Sequence, residues 1–241
     1  SGSVPTGGDV LIESTWNMML DTNTATLDKL TIEGRLTFDG SVADLELHAK
    51  VIVIGENGEL IIGDENTPYP ESAKIVLHGA SGDTGEQSGT GIPVVKNGIL
   101  NKGLIKIYGD HSRFTEARLT QGIVNGDTVL KVDSDVHGWQ VGDEIVIPSS
   151  MTDATQVELG TIASVNGDEI TLTSPVTNTH KEYLDYQVDS RNIEVGTILV
   201  NLTKKIVIES NDNTFGCVLL NPGYTAPSTI QGNLHIEDVE F

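Results

Sequence analysis

Leu45, Leu47, Ala49, Val51 and Val53 recur at strict period two. That is the repeat of a β-strand, whose side chains point alternately to opposite faces. Shorter pieces behave alike. Leu27, Leu30, Ile32, Leu36 and Phe38 sit around Glu33-Gly34. Leu60 and Ile62 follow Gly58, Ile75 and Leu77 precede Gly79, and Leu104 and Ile107 run up to Gly109. Each piece is closed by Gly or Asn, as strands ending in turns are. No amphipathic helix of more than about three turns is legible, and residues 111–121 have room for one short turn. Ile32, Val53, Ile75 and Ile105 recur about every 22 to 30 residues. A loose period of that size suits stacked coils of parallel strands. A sandwich would show strands every 8–12 residues or so, with hairpin signals throughout. Residues 27–109 are therefore expected to pair in parallel, with Ile32, Leu47, Val53, Ile62, Ile75 and Leu77 inward.

Hairpin signals gather in one stretch, 118–180. Asn125-Gly126-Asp127 and Asn166-Gly167-Asp168 tolerate the positive φ of tight turns. Val129–Val132, Gly142–Pro148, Leu159–Val165 and Ile170–Leu172 supply strands. This predicts a small antiparallel barrel-like insert. Ile193 to Ile208 and Leu234 to Phe241 read as a return to coil strands. The boundaries are thus 1–3, a cloning scar (Ser1-Gly2-Ser3); 4–117, a first β-helical part; 118–180, the insert; and 181–241, the return. Val239-Glu240-Phe241 ends inside an apparent strand, so a longer parent chain is expected.

The 241 residues allow one long all-β domain or two small ones. Hydrophobic content is 37% with only 5% aromatics, which suits a lean core of Val, Ile, Leu and Thr. Against 35 acidic residues stand 14 basic ones, a net charge of -21. Nucleic acid and anionic membranes are poor partners for such a polyanion. Divalent cations and neutral glycans remain open. No apolar run reaches the roughly 18 residues of a membrane span, and no signal peptide is visible. The single cysteine, Cys217, excludes an internal disulfide and any Cys-based zinc site, and reads as a buried, inert thiol.

Three blocks together resemble the extracellular G8 (eight-glycine) domain. The first is Gly8-Asp9-Val10-Leu11-Ile12, then Leu20-Asp21 and Leu30 to Phe38. The second is Gly58 to Glu65 with Pro68-Tyr69, continuing to Ile75-Val76-Leu77-His78-Gly79. The third is Trp139 to Ile147, with Pro175 and His180 downstream. Residues 194–208 look like the strand entering a right-handed parallel β-helix in that family. There are departures: Phe114 stands where a Trp is usual, Lys204 and Lys205 where a basic residue and Asn are expected, and Gly216-Cys217 where a Gly-His pair is expected. The family includes hyaluronan-depolymerising surface proteins and fibrocystins. The resemblance implies an all-β, right-handed parallel β-helix-like stack of coils with a small antiparallel β-barrel-like insert. It also implies an extracellular or cell-surface setting and a ligand-binding role, often toward glycans.

Candidate chemistry is sparse. Asp143 and Glu144 are adjacent on a strand and point to opposite faces, so they cannot act as a pair; Asp143 closes a turn or touches ligand. Asp64-Glu65 lies in a turn where carboxylates can meet a hard cation, with calcium the candidate. None of the six histidines has metal-ligand spacing to another. Asp110-His111-Ser112-Arg113 crowds hydrolase residue types into one loop, whereas a triad converges from separate elements. His180 matches the family position, as a structural hydrogen bond or a ligand contact. Trp16, Trp139, Tyr69 and Tyr108 could stack on sugars; Trp139 suits a core, and Tyr69, between two prolines, suits a surface. Asn201-Leu202-Thr203 is an N-glycosylation pattern. The site set is thus Tyr69, His180, Asp143 and Lys204 for ligand and Asp64 and Glu65 for metal, with no catalytic set.

The expected function is an extracellular ligand-binding or adhesion module of a larger surface protein. It would recognise glycan or a surface partner and cap a β-helix. A fragment of a hyaluronan-type depolymerase and a purely structural β-helix segment are the alternatives.

Overall fold

The computed structural model describes residues 5–87, 94–110, 114–133, 136, 138–188, 191–212, 214–222 and 232–241. His111, Ser112, Arg113 and His137 lie outside them. The chain is all-β and divides into two compact units, Ser1–Asp110 with Lys204–Phe241, and His111–Thr203. No helix among the described residues is long and apolar enough to cross a membrane.

The first unit opens with β1 (Asp9–Ile12), β2 (Asn17–Leu20), β3 (Leu27–Ile32), β4 (Arg35–Phe38), β5 (Leu45–Ile54), β6 (Glu59–Ile62), β7 (Ala73–Leu77), β8 (Gly98–Asn101) and β9 (Leu104–Tyr108). All pair in parallel. One ladder aligns Ile12, Ile32 and Ile54 across β1, β3 and β5. A second aligns Leu36, Leu60 and Ile105 across β4, β6 and β9. Their inward side chains make one core, including Ile32, Leu47, Ile62, Ile75 and Leu77. Each such burial stabilises by about 1.5–3 kcal/mol.

Val53 departs from the alternation. It is buried, but with Val51, Val95 and Leu100 in a separate cluster, while Ile52 and Ile54 enter the main core. The cause is that β5 changes partner midway. Leu45–Ala49 pair β7, and Val51–Ile54 pair β8. After Ala49 the phase of the alternation slips, and both faces of the strand are covered.

Between the ladders the chain turns at Gly34, Gly58 and Gly103, which stack. Glu59 N donates to Gly34 O at 2.8 Å and Leu104 N to Gly58 O at 2.9 Å. A Cβ on Gly58 would strike the Ile32 carbonyl oxygen, and one on Gly103 the carbonyls of Gly55 and Gly58. Only glycine fits so close an approach.

The second unit contains β10 (Glu116–Arg118), β11 (Val129–Lys131), β12 (Glu144–Ile147), β13 (Glu158–Asn166), β14 (Glu169–Leu172), β15 (Leu184–Val188), β16 (Arg191–Val195) and β17 (Ile198–Asn201). Six form an antiparallel sheet in the order β10-β17-β12-β13-β14-β11. The sheet curls into a partial barrel, and one bridge, Leu119 to Val132, links its two outer ends. Its core includes Leu119, Leu130, Trp139, Ile145, Ile162 and Leu199. The β13–β14 turn holds Gly167 at φ +63°, as its Asn-Gly-Asp sequence predicts. The unit exceeds the expected 118–180 because β17 returns to pair both β10 and β12. Residues 193–201 thus belong to antiparallel pairs, not to coil strands. The possible helical turn at 111–121 gives way to strand β10.

The chain re-enters the first unit as β18 (Ile206–Ser210), β19 (Val218–Leu220), β20 (Asn233–Glu237) and β21 (Val239–Glu240). β18 pairs β7, β19 pairs β8 and β20 pairs β9, all parallel. The ladders therefore continue across the inserted unit.

Candidate functional site

Most of the sequence-derived site residues point inward. Tyr69 is only 2% exposed. Its hydroxyl donates to Asp39 O at 3.1 Å and Val42 O at 3.2 Å, and its ring meets Phe38 edge-on. Burial, with Asp39 and Glu71 adding to it, pushes the phenol up to about 12. The flanking prolines suggested a surface position, but this ring has no face open to a sugar.

Asp143 is also buried. Its Oδ2 accepts from Gln140 N at 2.9 Å and Asn201 Nδ2 at 2.8 Å. It closes the turn before β12. Those bonds occupy the Asn201 amide, and Asn201 is buried, so the glycosylation pattern offers no accessible acceptor.

His180 is fully buried. Nδ1 faces Pro148 O and Nε2 faces Glu158 Oε1, each at 2.9 Å. Both partners are acceptors, so both bonds form only when both ring nitrogens carry hydrogen. Burial works to raise the Glu158 carboxyl. The bonds from His180, from both Thr177 groups and from Asn178 N outweigh it and hold it down to about 2. This is an internal brace of the second unit.

Lys204 Nζ pairs Asp238 Oδ1 at 2.9 Å. Asp64 Oδ2 lies 3.6 Å from Lys106 Nζ, and Asp64 Oδ1 accepts from Asn66 N at 3.2 Å. Glu65 is exposed. Among the described residues no three His, Cys, Asp or Glu side chains group to hold a metal, so the calcium expectation at Asp64-Glu65 gains no ligand set there. Trp139 is core, with Nε1 donating to Phe114 O at 2.6 Å. Cys217 is half-buried rather than buried.

A polar concavity of the first unit lies on the outer face of its ladder. Asp9, Lys29 and Val51 occupy one register across β1, β3 and β5. Asp28 and Lys50 flank them, and Asp83, Thr84, Gly85, Glu86 and Lys96 form the opposite wall of a cleft of about 340 Å³. The antiparallel bridge from Glu86 to Val95 shapes that wall. Lys29 Nζ lies 3.0 Å from Glu86 Oε1 and 4.0 Å from Asp9 Oδ2. Lys50 Nζ lies 2.7 Å from Asp28 Oδ1. Hydrogen bonds to Glu86 and Asp28 raise the two ammonium groups above the usual lysine range. Lys96 Nζ donates to Ser81 O at 2.6 Å. Sequence reasoning missed this cleft. Its one visible signal was Lys29 and Lys50 at outward positions of a strongly acidic chain.

Residues 1–120 match the family model described as the G8 domain. The chain belongs to the G8 domain family. Mouse fibrocystin is 30% identical over 235 residues, 96% of this chain and 6% of that protein. Human fibrocystin-L is 33% identical over 214 residues, 86% of this chain and 5% of that protein. A G8 domain-containing protein of Dictyostelium discoideum is 28% identical over 180 residues, 71% of this chain and 12% of that protein. The chain thus spans a small part of the length of these relatives. The G8 match covers β1–β9, and so contains the glycine column and both walls of the charged cleft.

Proposed function

We propose that this chain is an extracellular ligand-binding module of a larger cell-surface protein, and that the cleft around Lys29 and Lys50 holds a neutral glycan. The observation that carries the reading is the pairing inside the cleft. Lys29 and Lys50 each meet carboxylates already. The surface therefore offers alternating donors and acceptors with little net charge, which suits sugar hydroxyls that both give and accept hydrogen bonds. For a polyanionic chain such as hyaluronan the carboxylates Asp9, Asp28, Asp83 and Glu86 offset Lys29, Lys50 and Lys96, so the cleft offers it no net attraction. Kinship with fibrocystins supports the surface setting. In this reading the parallel ladders are turns of a right-handed parallel β-helix, and the curled antiparallel unit is an excursion from it.

The test is a glycan array probed with the chain and with a Lys29→Met/Lys50→Met variant. Neutral oligosaccharides should bind the former and lose at least tenfold in affinity with the latter. Binding that survives the double substitution, or no binding to any saccharide, would sink the reading.

A further inference from the structure

His48 and His78 stand 30 positions apart in sequence, yet their Nδ1 and Nε2 atoms lie 2.9 Å apart. The ladder explains the meeting. His48 is on the half of β5 that pairs β7, facing away from the core that holds Leu47 and Ala49. His78 follows the last residue of β7, and its N–H donates to Ala49 O at 2.9 Å. The rings are tilted by 46° with centroids 5.1 Å apart, and both residues are half-buried at the solvent edge. Two residues back on the same face of β5, Glu46 Oε2 lies 2.9 Å from His48 Nε2.

We propose that His48 and His78 form a binding site for a divalent transition-metal ion of the zinc class. A carboxylate only accepts hydrogen bonds, so Glu46 keeps the hydrogen on His48 Nε2 and leaves a lone pair on Nδ1. That lone pair faces His78 Nε2. When the hydrogen on His78 moves from Nε2 to Nδ1, a second lone pair enters the same gap. A cation then takes the place of the shared hydrogen, with no net change in bound protons. Carboxylate, imidazole and metal in sequence is the usual outer-shell arrangement of protein zinc sites.

The distances allow it. Zinc–nitrogen bonds of about 2.0–2.1 Å at a tetrahedral angle place two nitrogens roughly 3.4 Å apart. The rings must open by about half an ångström and turn so that both lone pairs meet off the line between the nitrogens, at a half-buried position. Imidazole pairs favour zinc, copper(II) and nickel(II) over calcium and magnesium, which seek oxygen. Lys74, the ladder neighbour of Glu46, directs its ammonium to Glu209 at 3.1 Å. No third His, Cys, Asp or Glu among the described residues completes the set, so water fills the remaining positions.

The test is calorimetric titration of the whole chain with zinc chloride in chelator-free buffer, paired with amide NMR spectra under trace copper(II). Wild type should show a zinc site that millimolar calcium does not displace, with copper broadening centred on residues 46–48 and 76–79. His48→Gln and His78→Gln should each remove one equivalent of zinc, and Glu46→Gln should weaken it by about 10–100-fold. Far-UV circular dichroism checks that each variant is folded. Unchanged stoichiometry in folded His48→Gln and His78→Gln variants, or broadening centred elsewhere, would overturn the proposal.

Discussion

Lys205 Nζ lies 3.0 Å from Asp110 Oδ2, joining the last residue before the inserted unit to the second residue after it. Lys205 Nζ also donates to Pro70 O at 2.6 Å, and Lys205 O accepts from Ala73 N at 3.0 Å. The exit and re-entry of the chain are thus fastened to the same stretch of the first unit. Replacing 111–203 by a short Gly-Ser linker should leave that unit folded, since β18 and β20 pair β7 and β9 without help from the insert. One cooperative thermal transition and a retained β-type circular dichroism spectrum are expected. A non-cooperative, aggregating product would show that the insert is needed for folding.

Gly58→Ala should cost about 3 kcal/mol, because the new methyl group strikes the Ile32 carbonyl and the backbone must shift. Gly126→Ala makes a useful contrast. Nothing lies within 4 Å of its Cβ, but φ is +100°, so strain alone should cost about 1 kcal/mol. Urea midpoints of the two variants should differ in that order.

Acid should attack the second unit through Glu158. Its folded carboxyl is held to about 2 against an ordinary value of 4.5. A lowered folded pKa gives stability that is full above the unfolded value and is lost as pH falls through the folded one. The second unit should therefore weaken between about pH 4.5 and pH 2. Glu158→Gln should flatten that dependence and cost about 3–5 kcal/mol at neutral pH, as breaking a buried pair does. Trp139 fluorescence in a Trp16→Phe background reports the unit directly. A slope as steep in Glu158→Gln as in the parent would count against this assignment.

Tyr69→Phe removes one donor shared by two carbonyls and should cost about 1 kcal/mol. Tyr69→Ala empties a core position beside Phe38 and should cost about 3–5 kcal/mol. Near-equal losses in chemical denaturation would contradict the packing described.

The strands of the first unit were legible because Leu45, Leu47 and Ala49 obey a period that local sterics impose. Val53 was misplaced because its face depends on β5 changing partner, and no residue within β5 encodes that. Tyr69 misled for a similar reason. Its prolines are local, whereas the carbonyls of Asp39 and Val42 that receive its hydroxyl come from far along the chain. The insert was visible from its Asn-Gly-Asp turns, but its end was not, since β17 is recruited by β10 and β12. The imidazole pair was hidden altogether, and of the charged cleft only Lys29 and Lys50 showed. Lys29 and Glu86 are 57 positions apart, and Glu86 sits beside an antiparallel bridge to Val95 outside the ladders, so no local pattern announces their meeting.

The change of partner within β5 separates the path of the chain from the order of its ladder. The segment between β7 and β8, residues 78–97, leaves the stack after one half-rung and rejoins at the next. Val95 and Asn97 tie the end of that segment to the stack, but its exposed residues Ser81, Gly82 and Thr84 can change at little cost to the ladder, and they adjoin Asp83 and Glu86 in the wall of the cleft. If the cleft binds ligand as proposed, its specificity can drift while the architecture stays constant, much as a bookshelf is indifferent to the titles it holds.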